Sequence, residues 1–257
     1  FNKIENQSSS DWIKKEVEEL NNIKNLEVKT RTSVAAYHGY NYLLARENLT
    51  DHLEKKDKQG NIRQRLLKIR AKKVILATGA LERPLIFNNN DRPGIMLSSA
   101  IKKYADFYGV VSGKKNVFFT NNDSAYESAL CLHNKGIKVE AVIDIRESSN
   151  SKIVKAVENV GIKIHWSHTI VDTKGYKRLN SISAMKLSKD GLSVTGNKID
   201  ISCDCLGVAG GWTPAVHLFT QSGGKLKFDE NNKVFLPNKY PSDQLSVGSC
   251  NGDFKIK

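Results

Sequence analysis

The chain has 257 residues, of which 39% are hydrophobic and 26% charged; this is ordinary globular composition, with enough apolar material for one large or two modest domains. It has no apolar run of about 18 residues and no basic-then-apolar N-terminal signal, so nothing is expected to span or target a membrane and the chain reads as soluble and cytoplasmic. The formal net charge of +13 comes from lysines spread along the chain, with no helix-turn-helix or zinc-finger spacing; nucleic-acid binding is not expected, and the surplus suits solubility or an acidic partner subunit.

In chain order, Ser8 to Asn22 predicts an amphipathic helix, with Trp12, Ile13, Val17, Leu20 and Ile23 at helical spacing and Ser10 as N-cap. Strand patterns follow at Leu26 to Val34, Asn41 to Glu47 and Leu66 to Thr78, with a hairpin turn at Lys58-Gln59-Gly60-Asn61. The basic stretch Arg63 to Lys73 alternates with leucine and isoleucine, as a solvated strand face does. The third strand runs into Ala77-Thr78-Gly79 and then a polar loop holding Pro84 and Pro93, an arrangement that suggests a bound ligand. Leu97 to Tyr108 predicts a helix with Leu97, Ile101, Tyr104, Ala105 and Tyr108 on one face and Gly109 as its stop.

A regular alternation comes next. Asn116 to Phe119, Val139 to Ile143 and Ile162 to Trp166 read as strands, separated by helices at Ser124 to Asn134 and Ser151 to Val160. This β-α-β-α-β order implies a parallel, doubly wound sheet with right-handed crossovers. Thr169 to Cys205 is β-rich, with a hairpin signal at Lys189-Asp190-Gly191. The strand Asp204 to Val208 then enters Gly210-Gly211-Trp212-Thr213-Pro214 and a helix from Ala215 to Gln221, with Thr213 as N-cap and Pro214 at the first helical position.

The unit from Lys115 to Arg146 reads as half of a dinucleotide-binding domain, with Asp144 at the strand end where such folds hold ribose hydroxyls. Where a glycine-rich loop would admit a pyrophosphate, the chain has Thr120-Asn121-Asn122-Asp123-Ser124-Ala125. Side chains stand between a phosphate and the backbone amides there, so Asp123 is expected to be a structural N-cap and Asp144 an ordinary strand-end acid. Cys131, Cys203, Cys205 and Cys250 make no C-x-x-C pair, which argues against a disulfide framework, a zinc site or a dithiol reductase. The histidines show no ligand spacing, and His165 and His168 are expected on opposite faces of one strand edge. His217 reads as a packing residue, and no metal is implied.

The segments "RAKKVILATGALERPLIFNNNDRPGIML", "TNNDSAYESALCL", "AGGWTPAVHLFTQSGGKL" and "VGSCNGDF", in that order, resemble the alpha subunit of heterotetrameric sarcosine oxidases. The likeness extends upstream through "RTSVAAYHGYNYLLARENLTDHL"; subunits of opine oxidases and cyanide-forming amino-acid dehydrogenases are the nearest alternatives. The resemblance implies an α/β fold of two nested Rossmann-like dinucleotide-binding domains of the glutathione-reductase type. Residues 1–113 and 206–257 would form the outer domain, and residues 114–205 the insert. No G-x-G-x-x-G occurs, so the chain is expected to be an internal piece whose outer domain lacks its first βαβ unit, with a folate-binding half beyond Lys257.

It further implies oxidative demethylation of sarcosine to glycine, giving hydrogen peroxide and a one-carbon unit for tetrahydrofolate. NAD would sit in this subunit, FMN at its contact with the beta subunit and FAD within beta, in an assembly with beta, gamma and delta subunits. The amine chemistry would belong to beta, so no catalytic residue is expected here. Cofactor contacts are expected from Ala77, Thr78, Gly79, Arg83, Gly248 and Ser249, with a surface Glu82-Arg83 ion pair as the plainer role for that arginine. A scaffold subunit with decayed nucleotide sites is the competing expectation.

Overall fold

The computed structural model describes residues 3–4, 7–58, 60–241 and 243–254. The chain divides into two compact units, one built from the stretch up to Ala77, Val216–Lys227 and the stretch from Leu236 on, the other from Thr78–Ala215 and Phe228–Phe235. The first unit begins with β1 (Lys3–Ile4), β2 (Gln7–Ser8), α1 (Ser9–Asn21), β3 (Thr32–His38), β4 (Tyr42–Asn48), α2 (Lys55–Lys58), β5 (Gln64–Arg70) and β6 (Val74–Leu76). The second contains β7 (Ala80–Glu82), β8 (Ile95–Leu97), α3 (Ser98–Phe107), β9 (Lys115–Thr120), α4 (Ser124–Asn134), β10 (Lys138–Asp144), α5 (Lys152–Asn159) and β11 (Ile164–Trp166). It continues through β12 (His168–Gly175), β13 (Leu179–Leu187), β14 (Val194–Ser202), β15 (Cys205–Ala209) and β16 (Trp212–Pro214). The chain ends with α6 (His217–Gln221), β17 (Lys225–Asp229), β18 (Val234–Lys239), β19 (Gln244–Ser246) and a 3-10 turn at Gly248–Asn251.

The second unit is a three-layer α/β structure. Its parallel sheet runs β11-β10-β9-β15-β8, and β9 is buried along both faces because adjacent side chains alternate between two cores. Phe118 packs with Val142 of β10 and with Ile101, Ala129, Leu132 and Val154 of the helices. Val117 and Phe119 pack with Ile143 and Leu206 and, across the layer, with Ile170 and Ile182 of the antiparallel sheet β12-β13-β14. The parallel β-α-β alternation matches the pattern read from the sequence, but helices cover only one face. The other face is closed by a sheet, because β12 to β14 supply a second apolar surface. The sheet that begins the insert at residue 114 in the sequence reading also takes its edge strand, β8, from residues 95–97.

In the first unit, β3-β4-β5 form an antiparallel sheet, and β6 pairs in parallel with β19. The core of this unit gathers Tyr37, Leu43, Val74, Leu76 and Phe219. The single strand expected from Leu66 to Thr78 is two strands in different sheets. At their junction the Asn41 side chain donates to Lys72 O (3.2 Å) and Asp243 O (3.3 Å), holding the chain as it changes partner. Strand β3 starts at Thr32 rather than Leu26, since Arg31 takes a left-handed φ of 56° that no pleated strand allows. The hairpin turn expected at residues 58–61 joins β4 to β5 by way of α2, with Gln59 outside the described residues. Ser8, not Ser10, caps α1: its extended backbone lets Oγ accept from Asp11 N (3.1 Å), whereas Ser10 is already helical.

Helix α6 also starts later than expected. Trp212–Pro214 is a strand, antiparallel to Ala80–Glu82, so Thr213 and Pro214 are sheet residues and Val216 takes the cap position. The pairing of Thr213 with Leu81 overrides the local N-cap signal.

Gly207 on β15 is paired with Phe118 of the parallel neighbour β9, and a Cβ there would stand 2.5 Å from the Phe118 ring and 3.0 Å from Ile101 Cδ1. Gly207→Ala is expected to destabilise the protein by about 1–3 kcal/mol through overpacking. Urea unfolding checks this, and Gly207→Ala combined with Phe118→Leu should recover part of the loss.

Candidate functional site

Open parallel sheets bind ligands at the carboxyl ends of their strands, in the crevice where strand order reverses. In the second unit that crevice lies between β9 and β15, and it is closed by hydrogen bonds. Thr120 Oγ1 and Asn122 Nδ2 both donate to Ala209 O, at 3.1 and 3.0 Å. The amides a phosphate would seek are taken: Asn122 N donates to Thr120 Oγ1 (3.1 Å), and Ser124 N donates to Asn122 Oδ1 (3.0 Å). Asp123 holds the N-cap position of α4, as expected, but its side chain makes no cap hydrogen bond; Asn122 Oδ1 accepts from the first helical amide instead.

Asp123 instead accepts from Arg146 Nη1 at 2.8 Å. The same guanidinium grips Asp144, with Nη2 at 2.8 Å and Nε at 3.1 Å from its oxygens, and Tyr126 Oη donates to Asp144 Oδ2 at 2.7 Å. Asp144 is fully buried, so it is the anchor of an ion-pair network rather than an ordinary strand-end acid. Burial, followed by the hydrogen bond to Asp144, pushes the Tyr126 hydroxyl well above its ordinary range, and it remains a donor. The position that would hold ribose hydroxyls is thus filled by the protein itself.

In the first unit the parallel pair β6 and β19 ends side by side. Val247 N donates to Leu76 O (2.9 Å), and Cys250 Sγ lies 3.2 Å from the same oxygen. This brings together the expected site residues Ala77, directly after β6, and Gly248 and Ser249, in the turn after β19. Gly248 has a φ of 70°, and no atom lies within 4 Å of where its Cβ would stand, so it leaves open space at the strand ends.

Thr78, Gly79 and Arg83 belong to the second unit, where each makes a hydrogen bond within the protein. Thr78 Oγ1 donates to Ala215 O (2.7 Å), Gly79 O accepts from Ala215 N (2.9 Å), and Arg83 Nη1 donates to Lys233 O (3.0 Å). Glu82 and Arg83 form no surface ion pair. Glu82 is buried and accepts from Ser99 N (2.9 Å) and Ser99 Oγ (2.6 Å) at the start of α3; burial raises its carboxyl pKa, and these bonds lower it in part. The Arg92-Pro93-Gly94 turn is structural, with Pro93 O and Gly94 O accepting from Leu179 N and Leu206 N at 2.8 Å each.

Over 253 residues, 98% of this chain, the sequence is 37% identical to sarcosine oxidase subunit alpha of Corynebacterium sp. strain P-1. The chain is related to the sarcosine oxidase alpha subunit. A second Corynebacterium subunit, from strain U-96, is 34% identical over 97% of the chain, and that of Rhizobium meliloti strain 1021 is 32% identical over 91%. The chain spans about a quarter of the length of these relatives, 26%, 26% and 22% respectively. Among solved structures, L-proline dehydrogenase from P. horikoshii superposes with a TM-score of 0.67 over 97% of this chain and 41% of its own, at 21% identity. Thioredoxin reductase of T. acidophilum gives 0.65 over 96% and 74%, at 16% identity. The shared feature is the α/β Rossmann-like fold. No protein-family model matches the chain.

The sequence reading missed Arg146 and Tyr126 as partners of Asp144; the Asp-Ile-Arg spacing was the available signal, but Tyr126 meets them only through the α4–β10 packing. It also placed His165 and His168 on opposite faces. Their rings are 5.5 Å apart, because Ser167 between them has a φ of 54° and reverses the alternation.

Arg146→Ala leaves Asp144 buried without its counter-charge and should lower unfolding free energy by about 3–5 kcal/mol. The double variant with Asp144→Asn, compared by the same denaturant titration, should regain part of it. Burial holds the Cys203 and Cys205 thiols up at about 12, above the unfolded value of about 8.5. Their contribution to stability is therefore full below about pH 8.5 and lost as pH rises toward about 12, so melting temperature should fall over that window. At neutral pH both thiols should resist maleimide until the protein unfolds.

Proposed function

We propose that this chain is the dinucleotide-binding part of a sarcosine oxidase alpha subunit and binds NAD at the carboxyl ends of β6 and β19. The 37% identity over 98% of the chain to a named sarcosine oxidase alpha subunit carries this reading. The open space over Gly248, beside Ala77 and Ser249, supports the location, since a dinucleotide crossing strand ends needs backbone without a Cβ in its way. When bound, NAD supplies a hydride-accepting nicotinamide, and FMN at a contact with a beta subunit supplies a second redox group. The residues of this chain bind and orient these groups; the amine is oxidised at the flavin of another subunit.

In this reading the whole enzyme, an assembly of alpha, beta, gamma and delta subunits with FAD in beta, converts sarcosine to glycine. Dioxygen takes up the electrons as hydrogen peroxide, and the one-carbon unit passes to tetrahydrofolate. A second reading, a scaffold whose nucleotide sites have decayed, draws its support from the closed crevice between β9 and β15. It applies to that crevice, while at the ends of β6 and β19 the space over Gly248 is free.

The complete gene product, purified with its companion subunits, should retain about one NAD per alpha subunit, measured by acid release and chromatography. Gly248→Ala, strained by about 1–2 kcal/mol in a left-handed conformation, should weaken NAD binding about tenfold while the assembly persists. No retained dinucleotide in the parent protein would leave the scaffold reading.

A further inference from the structure

The sheet β3-β4-β5 has two unlike sides. The pairs Tyr37↔Leu43 and Leu43↔Ile69 set one side, on which Tyr37 and Leu43 are buried in the core of the first unit. The pairs His38↔Tyr42, Tyr42↔Arg70 and Arg46↔Leu66, with Lys68 opposite Leu44, set the other side. His38, Arg46, Leu66, Lys68 and Arg70 are exposed there, Leu66 by 60%. No strand of the sheet places a carboxylate on this side. Glu47, the one acid in the three strands, lies on the core side, with Arg65 at 3.4 Å and Lys29 at 3.8 Å. Arg46, Lys68 and Arg70 have no ion-pair partner among the described residues, so their positive potential is uncompensated.

We infer that this outer face of β3-β4-β5 docks an acidic surface of a partner subunit, with carboxylates meeting Arg46, Lys68 and Arg70 and an apolar spot receiving Leu66. The inference rests on the reading of the chain as one subunit of a multi-subunit oxidase. Charge complementarity selects the partner's sign, and the mixture of arginine, tyrosine and an exposed leucine suits a protein interface. A single-stranded nucleic acid would need free aromatic rings for stacking. Tyr42 is half-buried and covered by the Arg70 guanidinium, 5.3 Å from its ring centroid.

The test uses the complete gene product co-expressed with its companion subunits, as parent, as Arg46→Glu/Lys68→Glu and as Arg46→Gln/Lys68→Gln, leaving the Arg70–Tyr42 contact in place. Sedimentation velocity at about 0.05 and about 0.5 M salt should show parent assembly weakened by salt, as exposed charge pairs require. The double reversal should weaken assembly about a hundredfold and the neutral pair less. Carbodiimide should link Lys68 to a carboxylate of another subunit, identified by mass spectrometry. NAD content and melting temperature, unchanged in the neutral pair, separate docking from folding and from the cofactor reading. Assembly that ignores both substitutions and salt overturns the inference. So does co-purifying RNA that the reversal sheds, which would make the face a nucleic-acid surface. A parent protein that binds no companion subunit overturns both this inference and the oxidase reading.

Discussion

Burial of β9 on both faces is the constraint on which the second unit depends. A strand with no solvent side must alternate between two cores, so Phe118 commits the sheet to helices α3 to α5 while Val117 and Phe119 commit it to the antiparallel sheet behind. The lack of a side chain at Gly207 follows from that commitment, since Phe118 already occupies the space a Cβ would take. The left-handed turn at Gly94 serves the same sheet: Gly94 O accepts from Leu206 N and fixes where β15 starts beside β8.

The same strand ends at a crevice that a dinucleotide-binding fold would leave open. Here Thr120 and Asn122 reach across to Ala209, and the Asp144 carboxylate is neutralised by Arg146 and hydrogen-bonded by Tyr126. The Asn122 and Ser124 amides and the Asp144 carboxylate are satisfied internally. A buried acid with its counter-charge in place stabilises the strand end and has little to gain from a ligand. The first unit differs, because its paired strand ends meet at a glycine with free space over it. The proposed binding site is therefore placed at β6 and β19 and not at β9 and β15.

The charge surplus acquires a location in the same unit. Cations that alternate with leucine and isoleucine along Gln64–Arg70 are unremarkable in one dimension. Pairing with β4 sets Lys68 and Arg70 beside Arg46 and removes the sheet's only acid to the far side, which turns scattered lysines and arginines into a one-signed surface.

Local patterns determined much of the second unit. The helix at Ser124–Asn134 has the bounds that its apolar spacing predicts, and the β-α-β-α-β order was readable because each element there has one strong period and clear turn residues. The vacated glycine-rich loop was legible too, since side chains at residues 120–125 are a property of the sequence alone. Tertiary structure decided the rest. Leu66 to Thr78 carries one continuous strand signal, yet it divides between two sheets because its first part pairs with β4, 20 to 28 positions earlier, and its second with β19, 170 positions later. Thr213-Pro214 is a textually sound helix start that long-range pairing with Leu81 and Ala80 made a strand. Asp144 meets Tyr126 only where α4 packs on β10, and no spacing rule connects them. Sequence period fixes which way a side chain points within its own element; which neighbour it meets is set by sheet register and packing, and those are properties of the folded chain.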